Sequence, residues 1–483
     1  MRKTISLITT AMLLILPAAA QEQTEAKKSQ YSRTDRAYAA GYKAQFICSG
    51  LWNGGKSLKD IEADELTGIY DRIADIVPTL EPVINEQDHI VSVPFADNMP
   101  PRMARWDRMR GCISAPIGAT DFGPYFHGPT RPDLDDKAWP WGDREAQLPR
   151  SAEYGAIDKV AASAFRPEDR EGGEKRFGGK TSAVLIASSS GIVWEGYKPG
   201  HDKHTAQRTW SVAKSIAGTL VGHYIDDTGE PAPVPAWQMT SDPRATIRYD
   251  DLLRMASGLQ SDTAGNRTDP VYMGGASVVQ RTSGWPLLHP PGTRFRYANN
   301  DTLLAVLAAV EERRQMNADV NKVSRGITQE FLFDPYSFFF RLGMTRTWAE
   351  HDWHGNYILS SQVWTTPRDL ARLGLLYLND GMWFYDGSTQ GRLLPEGWRD
   401  YVSAPSGPQP DGRFGYGATF WLMNRSEGIP KDTIAAFGNR GQYLVIIPSR
   451  DLIIVRRGYD TREDRFNIEE FTRNLVFALS GQG

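Results

Sequence analysis

The chain has 483 residues, of which 40% are hydrophobic and 23% charged, and it carries a formal net charge of -3 with a pI of about 6.3. A chain of this length and composition can bury a large core, and it predicts a globular protein with more than one folding unit. The charge balance offers no basic stripe that would follow a phosphate backbone, which argues against a nucleic-acid-binding function.

The first 20 residues contain two cations, a short apolar run and the small residues Ala18, Ala19 and Ala20. This order is typical of a secretory signal peptide cleaved after Ala20, because the apolar run is too short to span a bilayer. Residues 21–35 are polar and without period, which predicts a disordered leader. We therefore expect a soluble protein without a membrane span, exported to a periplasm or secreted.

Residues 36–121 are predicted to form a small N-terminal lobe, with a helical pattern in LKDIEADELTGIYDRIADIV and a strand pattern in HIVSVPFA. This lobe contains both cysteines of the chain, Cys48 and Cys112. In an oxidising compartment, an even pair of cysteines favours a disulfide over a metal or redox site. Residues 122–150 are dense in Pro, Gly and Asp, which predicts a linker or a long surface loop.

Residues 151–483 have the pattern of one larger domain. A helical pattern in SAEYGAIDKVAASAF comes first, and TSAVLIASSSGIVWEGY then has the pattern of a hairpin. A long helical and loop region follows from Tyr249 to Ser403. Strand patterns return in YGATFWL, TIAAFG, YLVIIP and DLIIVRRG, before a last helix. Strands on both sides of a helical insert predict a single antiparallel sheet built from distant segments, in an α/β (α+β) fold.

The helical stretch RTWSVAKSIAGTLVG contains the only Ser-x-x-Lys of the chain, Ser211 and Lys214. Residues three apart share a helix face, so the hydroxyl and the amine lie side by side. A serine becomes a strong nucleophile when a neutral amine accepts its proton, and burial lowers a lysine pKa toward neutrality. The competing interpretation is a surface lysine whose stem lies along the helix.

Three further features accompany this pair. Tyr297 and Asn299 in FRYANN precede a helical pattern, where a phenol and a carboxamide can project together from a loop. A second Tyr-x-Asn, at Tyr377, lies inside a helical pattern and is interpreted as packing. Gly438 in AAFGNRGQYLVIIP begins a strand region and permits close approach of the backbone to a ligand.

In this order the motifs resemble the penicillin-binding, β-lactamase-like serine hydrolases. TWSVAKS, PGTRFRYANN, TTPRDLARLGLLYLNDG and GNRGQYLVIIP look most like the branch of 6-aminohexanoate-dimer hydrolases and family VIII esterases. The resemblance spans residues 151–483 and implies an antiparallel sheet flanked by helices, with an all-helical insert. It implies the catalytic residues Ser211, Lys214 and Tyr297. It also implies a substrate-binding or oxyanion set of Asn299, Gly438, Asn439, Arg440 and Gln442.

The sequence departs from β-lactamases and many peptidases of this group at Ala436-Phe437-Gly438, where they carry Lys-Thr-Gly or His-x-Gly. The cation that would hold a substrate carboxylate is missing, and Arg440 is its candidate replacement. We therefore expect an exported serine hydrolase, an esterase or amidase that forms an acyl-enzyme. The alternatives are a β-lactamase or D-alanyl-D-alanine peptidase acting on cell-wall-related substrates, and a noncatalytic penicillin-binding-like ligand sensor.

No metal or other cofactor is predicted, and the expected partner is a small-molecule ester or amide. His201 with His204, and His351 with His354, have spacings compatible with metal ligation on a helix. Neither pair lies in a clear helical pattern, so we expect no metal site there.

Overall fold

The computed structural model describes residues 31–122, 130–144, 152–239, 241–261, 268–320, 333–385 and 388–479. The predicted signal peptide, most of the predicted leader and parts of the predicted linker lie outside the described residues. The helices are α1 (Arg33–Trp52), α2 (Leu58–Asp64), α3 (Asp71–Ala74), α4 (Ala152–Ala162), α5 (Val212–Tyr224), α6 (Tyr249–Leu253), α7 (Asp269–Tyr272), α8 (Val278–Thr282), α9 (Asn299–Val320), α10 (Pro335–Arg341), α11 (Pro367–Leu378), α12 (Trp398–Ser403) and α13 (Ile468–Leu479). The strands are β1 (Val83–Asn85), β2 (Ile90–Val93), β3 (Arg102–Asp107), β4 (Gly111–Ser114), β5 (Thr181–Ser188), β6 (Gly191–Tyr197), β7 (Gln207–Arg208), β8 (Trp348–Ala349), β9 (Val363–Thr365), β10 (Met382–Tyr385), β11 (Ser388–Arg392), β12 (Gly415–Tyr416), β13 (Trp421–Leu422), β14 (Ile434–Gly438), β15 (Gln442–Ile447) and β16 (Leu452–Gly458).

A seven-stranded antiparallel sheet forms the centre of the fold, in the order β12-β13-β14-β15-β16-β5-β6. The early hairpin β5-β6 joins the late strands through β16, with Val455 opposite Leu185. The predicted sheet from distant segments is therefore confirmed, and helices flank it on both faces.

The two faces of this sheet bury two apolar layers, as period-two alternation requires. In β5, Val184 and Ile186 pack with α4 and α13, whereas Leu185 packs with α5, α9 and α11. Every residue of α5 except His223 is buried, so α5 is a core helix with no polar face. A lysine inside it is necessarily removed from water.

None of the helices in the described residues has an apolar stretch long enough to cross a membrane.

The N-terminal segment, residues 33–115, packs into the same apolar layer as α5. Its main element is α1, which begins where Ser32 accepts a hydrogen bond from the backbone N–H of Asp35. The helix therefore begins at Arg33, inside the predicted leader of residues 21–35, so the predicted end of the leader was wrong. The sequence analysis did not predict this helix. Residues 39–50 are all buried, so the helix has no polar face that would mark a helical period in the sequence.

A disulfide joins Cys48 in α1 to Cys112 in β4, with the two Cα atoms 6.1 Å apart, and the predicted pairing is confirmed. The bond ties α1 to the small antiparallel sheet β1-β2-β3-β4 that packs against it. The disulfide thus cross-links two elements within the N-terminal segment.

Glu350, which follows β8, fastens this segment to the larger domain through neutral hydrogen-bond donors. One carboxylate oxygen accepts from Ser49 Oγ at 2.6 Å, Asn53 Nδ2 at 2.9 Å and the Cys112 N–H at 3.1 Å. The other accepts from Gln45 Nε2 at 2.9 Å. Complete burial raises the pKa of Glu350 to about 7, although these hydrogen bonds lower it.

The described part of the predicted linker is held by ion pairs rather than lying free on the surface. Arg346 bridges Asp135 at 2.6 Å and Asp143 at 3.1 Å, and Arg372 contacts Asp143 at 2.7 Å. His204 lies beside the two carboxylates, and these three side chains have the spacing of metal ligands. The two guanidinium groups already balance both acids.

Because the folded pKa of Glu350 is raised, the carboxyl group stabilises the fold below its unfolded pKa, and this contribution is lost as pH rises through about 7. We expect Glu350→Gln to remove about 3 kcal/mol of the fall in stability between pH 4.5 and pH 8. Thermal unfolding of wild type and variant across that range measures the difference. The exposed Glu86→Gln is the control, and parallel curves for wild type and Glu350→Gln would contradict the assignment.

Candidate active site

Ser211 occupies the N-cap of α5 and is half-buried, so its hydroxyl is accessible at the start of a buried helix. The residue before it, Trp210, has a φ of 50°, a left-handed conformation that is costly for a residue with a side chain. Packing holds this turn, because the Trp210 ring lies 3.8 Å from the Arg208 guanidinium and 6.0 Å from the Tyr70 ring. Tyr70 belongs to the N-terminal segment, which therefore forms part of the site.

The amine of Lys214 contacts three oxygens. It lies 3.1 Å from Ser211 Oγ, 2.5 Å from Asn299 Oδ1 and 2.9 Å from the Ser360 carbonyl oxygen. The amide and carbonyl oxygens can only accept hydrogen bonds. A neutral amine has two N–H groups for these acceptors, and its lone pair then faces the Ser211 hydroxyl.

The electrostatic surroundings favour that neutral form. Burial lowers the pKa of Lys214 to about 7, and the positive charge of Arg208 lowers it further. Arg208 is fully buried, and it donates hydrogen bonds to the hydroxyl and the carbonyl of Ser361 at 2.6 and 3.2 Å. Its positive charge adds to the burial that lowers the pKa of Lys214 toward neutrality.

Asn299, the first residue of α9, lies against Lys214 and is 4% exposed. Its Nδ2 donates to Thr268 Oγ1 at 3.0 Å, which fixes the carboxamide with its oxygen toward the lysine. These contacts orient the lysine, whereas the resemblance implies a substrate-binding or oxyanion role for Asn299.

Tyr297 reaches the site from the loop before α9. Burial raises the pKa of Tyr297 above its ordinary value, although a hydrogen bond with the Ser211 side chain lowers it. The Lys214 amine lies over the face of the ring, 5.0 Å from its centre. The phenol is hydrogen-bonded to Ser211, whereas the Lys214 amine is held by Asn299 and Ser360. The phenol stays protonated and can act as a donor.

Gly438, at the end of β14, lets the sheet edge approach the nucleophile. A Cβ at this position would lie 2.3 Å from the Thr209 carbonyl oxygen and 3.3 Å from Val212 Cγ2. Only glycine allows this approach. It brings the exposed Asn439, the next residue, beside the start of α5.

Arg440 and Gln442, both expected at the substrate site, are buried in the turn that follows. The Arg440 guanidinium lies 5.6 Å from the centre of the Tyr459 ring, and its Nε and Nη1 are shielded from solvent. Gln442 is 1% exposed; its amide donates to the carbonyls of Arg440 and Gly458 and accepts from Arg457. The polar atoms of Gln442 are thus engaged inside the protein, and its place at the substrate site stays a prediction.

Sequence reasoning missed the groups that tune Lys214. The contribution of Ser360 is a backbone carbonyl, which leaves no signal in a sequence. Arg208 lies three residues before the nucleophile and was visible, but only its burial shows that it acts on the lysine. The interpretation of Tyr377 as packing is confirmed, since its buried hydroxyl lies 2.8 Å from Thr219 Oγ1.

The sequence pattern that defines the β-lactamase family matches residues 175–457, more than half of the chain. The chain belongs to the β-lactamase family of hydrolases, and the predicted fold class and resemblance are confirmed.

Individual relatives are distant. The chain is 24% identical over 313 residues to the 6-aminohexanoate-dimer hydrolase of Paenarthrobacter ureafaciens, covering 57% of this chain and 72% of that protein. A Bacillus anthracis structure described as a 6-aminohexanoate-dimer hydrolase is similar with 18% identity and a TM-score of 0.47, covering 72% of this chain and 87% of the other. A D-alanine carboxypeptidase structure from Burkholderia cenocepacia is similar with 15% identity and a TM-score of 0.44, covering 68% and 99%.

If Lys214 acts as a base, kcat/KM for an ester should fall about tenfold per pH unit below the lysine pKa of about 7. We expect Arg208→Gln to move this acidic limb to higher pH, because removing the positive charge makes protonation of Lys214 easier. The pH profile of kcat/KM for p-nitrophenyl butyrate measures the shift. Arg462→Gln, at an exposed ion pair with Asp71, is the control. An acidic limb that stays in place in Arg208→Gln would exclude this coupling.

Proposed function

We propose that the chain is an exported serine hydrolase, an esterase or amidase that forms an acyl-enzyme on Ser211. The observation that carries the proposal is the state of Lys214: a buried amine with a pKa of about 7, fixed by two acceptors and in contact with an accessible serine hydroxyl. A surface lysine would have none of these properties. Export is supported by the disulfide, which is favoured in oxidising compartments.

In the first step, Ser211 Oγ attacks the carbonyl carbon of the substrate while the Lys214 amine takes the hydroxyl proton. Negative charge then develops on the carbonyl oxygen. We assign its stabilisation to the backbone N–H groups of Ser211 and Asn439, at the positive end of α5 and at the sheet edge that Gly438 brings close.

In the second step, the bond to the leaving group breaks and Tyr297 donates a proton to the departing oxygen or nitrogen. Its protonated phenol suits this task, and its ring contacts Lys214 while its hydroxyl contacts Ser211. The proton taken from Ser211 passes on through Tyr297, so the amine is neutral again when water attacks the acyl-enzyme. The net reaction is hydrolysis of an ester or amide.

The surroundings of the cleft favour a substrate without a carboxylate at the sheet edge. Ala436 lies on the α5 face of β14, where relatives with Lys-Thr-Gly carry a cation. Arg440 does not supply this charge, because its Nε and Nη1 face the protein interior. The missing cation does not weaken the binding of uncharged esters and amides, because they have no carboxylate to pair with it.

Ser211→Ala should lower kcat/KM for p-nitrophenyl esters on the order of 10³-fold or more, because the members of a catalytic unit fail together. A fluorophosphonate should add covalently to Ser211 in the folded wild-type protein and not in the variant. Intact-mass analysis measures the adduct. The control is Ser190→Ala, in the exposed turn between β5 and β6. Folded wild-type protein without an adduct would instead support the noncatalytic sensor.

Nitrocefin, whose carboxylate needs a cation, should be hydrolysed poorly relative to p-nitrophenyl butyrate. A charge-assisted hydrogen bond contributes about 1.5 to 3 kcal/mol, so its loss weakens binding about ten- to a hundredfold. We expect Arg440→Ala to leave the ratio of the two kcat/KM values nearly unchanged. Both residues carry a Cβ, so the strain of the φ of 59° is matched. Efficient nitrocefin turnover that disappears in Arg440→Ala would instead favour the β-lactamase or peptidase.

A further inference from the structure

A row of aromatic rings leads away from Tyr297 along the edge of the central sheet. The Tyr297 and Trp421 ring centres are 5.4 Å apart, and Trp421 and Phe437 are stacked at 6.0 Å with an interplanar angle of 17°. Phe437 then contacts Phe414 at 5.2 Å and Tyr443 at 5.4 Å. We call these five residues the aromatic row. All five residues are half-buried.

The row ends in a cavity of about 360 Å³ between the sheet edge and the start of α13. Phe414, Phe437, Tyr443 and Phe466 form its apolar walls. At its rim, Arg413 and Glu469 pair at 3.0 Å and balance each other's charge. Arg465 and Asn467 also line the cavity, which therefore combines apolar walls with a polar rim.

The alternation of β14 explains why the row lies where it does. Ala436 points toward α5 and the nucleophile, whereas Phe437 points to the other face and meets Trp421 at the edge. Ala436 is buried and adds no side chain beyond Cβ on the nucleophile side. The Phe437 ring lies one residue further along the same edge.

We propose that the aromatic row binds the leaving-group arm of the substrate, an extended alkyl or aryl alcohol or amine whose far end reaches the cavity. This inference rests on the proposed function, in which Tyr297 protonates the leaving group. The departing atom must therefore lie at Tyr297, and the row begins at that ring. Three ring-to-ring steps of 5.4, 6.0 and 5.2 Å separate Tyr297 from Phe414, so a long arm gains contacts that a short arm cannot make.

The test keeps the acetyl group constant and lengthens the alcohol from ethyl to octyl acetate. We expect wild-type kcat/KM to rise with alcohol length, and Trp421→Ala and Phe437→Ala each to lower the value for octyl acetate about tenfold while ethyl acetate changes by less than about twofold. Trp421→Phe and Phe437→Leu, which keep apolar bulk, should retain most of the length dependence. If the alanine variants fail to fold, Trp421→Phe and Phe437→Leu provide the test instead. Phe477→Ala removes a ring that is 51% exposed on α13, outside the row, and serves as the control.

A second series, from ethyl acetate to ethyl octanoate, lengthens the acyl group instead. We expect the row variants to leave this dependence unchanged. Equal loss in both series, or loss confined to the acyl series, would overturn the assignment to the leaving group, as would a wild-type kcat/KM independent of alcohol length. Absence of both ester turnover and a fluorophosphonate adduct in the wild type would overturn the proposed function itself, and this inference with it.

Discussion

The site depends on a lysine amine buried among neutral partners. Lys214 has no carboxylate among its hydrogen-bond partners in the described structure; these partners are an amide oxygen, a carbonyl oxygen and a hydroxyl. A buried ammonium without a counter-ion is costly, so the proton is released near neutral pH. The same two acceptors that fix the amine leave its lone pair directed at Ser211. Burial therefore sets both the protonation state and the geometry.

Buried arginines with neutral partners extend this electrostatic arrangement around the start of α5. Arg208 donates to Ser361, and Arg457 donates to Gln442 and to the carbonyls of Thr365 and Gln207. Burial lowers the pKa of Arg457 to about 10, yet it remains charged at neutral pH. The positive charge of Arg208 disfavours an ammonium at Lys214. In the proposed mechanism, positive charge near Ser211 also favours the oxyanion that forms during attack.

The two faces of β14 separate catalysis from recognition. On one face, Ala436 and Gly438 allow the strand to approach the nucleophile, and neither contributes charge. On the other, Phe437 joins the half-buried rings that continue from Tyr297. Alternation along the strand therefore fixes which side chains face the nucleophile and which face the aromatic row.

The sequence by itself determined the motif residues Ser211, Lys214, Tyr297 and Asn299, the antiparallel sheet and the disulfide, because these leave local signals in spacing, alternation and cysteine count. It did not reveal α1, because residues 39–50 of this helix are all buried and leave no polar face that would mark a helical period. It also did not reveal that the Gln442 side chain is buried. Only the tertiary structure decided that the Ser360 carbonyl and Arg208 act on Lys214 and that Tyr297 contacts Ser211. Ser360 and Tyr297 reach the site from distant segments, and Arg208 acts on Lys214 because it is buried beside it. A pKa or a hydrogen-bond partner depends on which groups packing brings together in space.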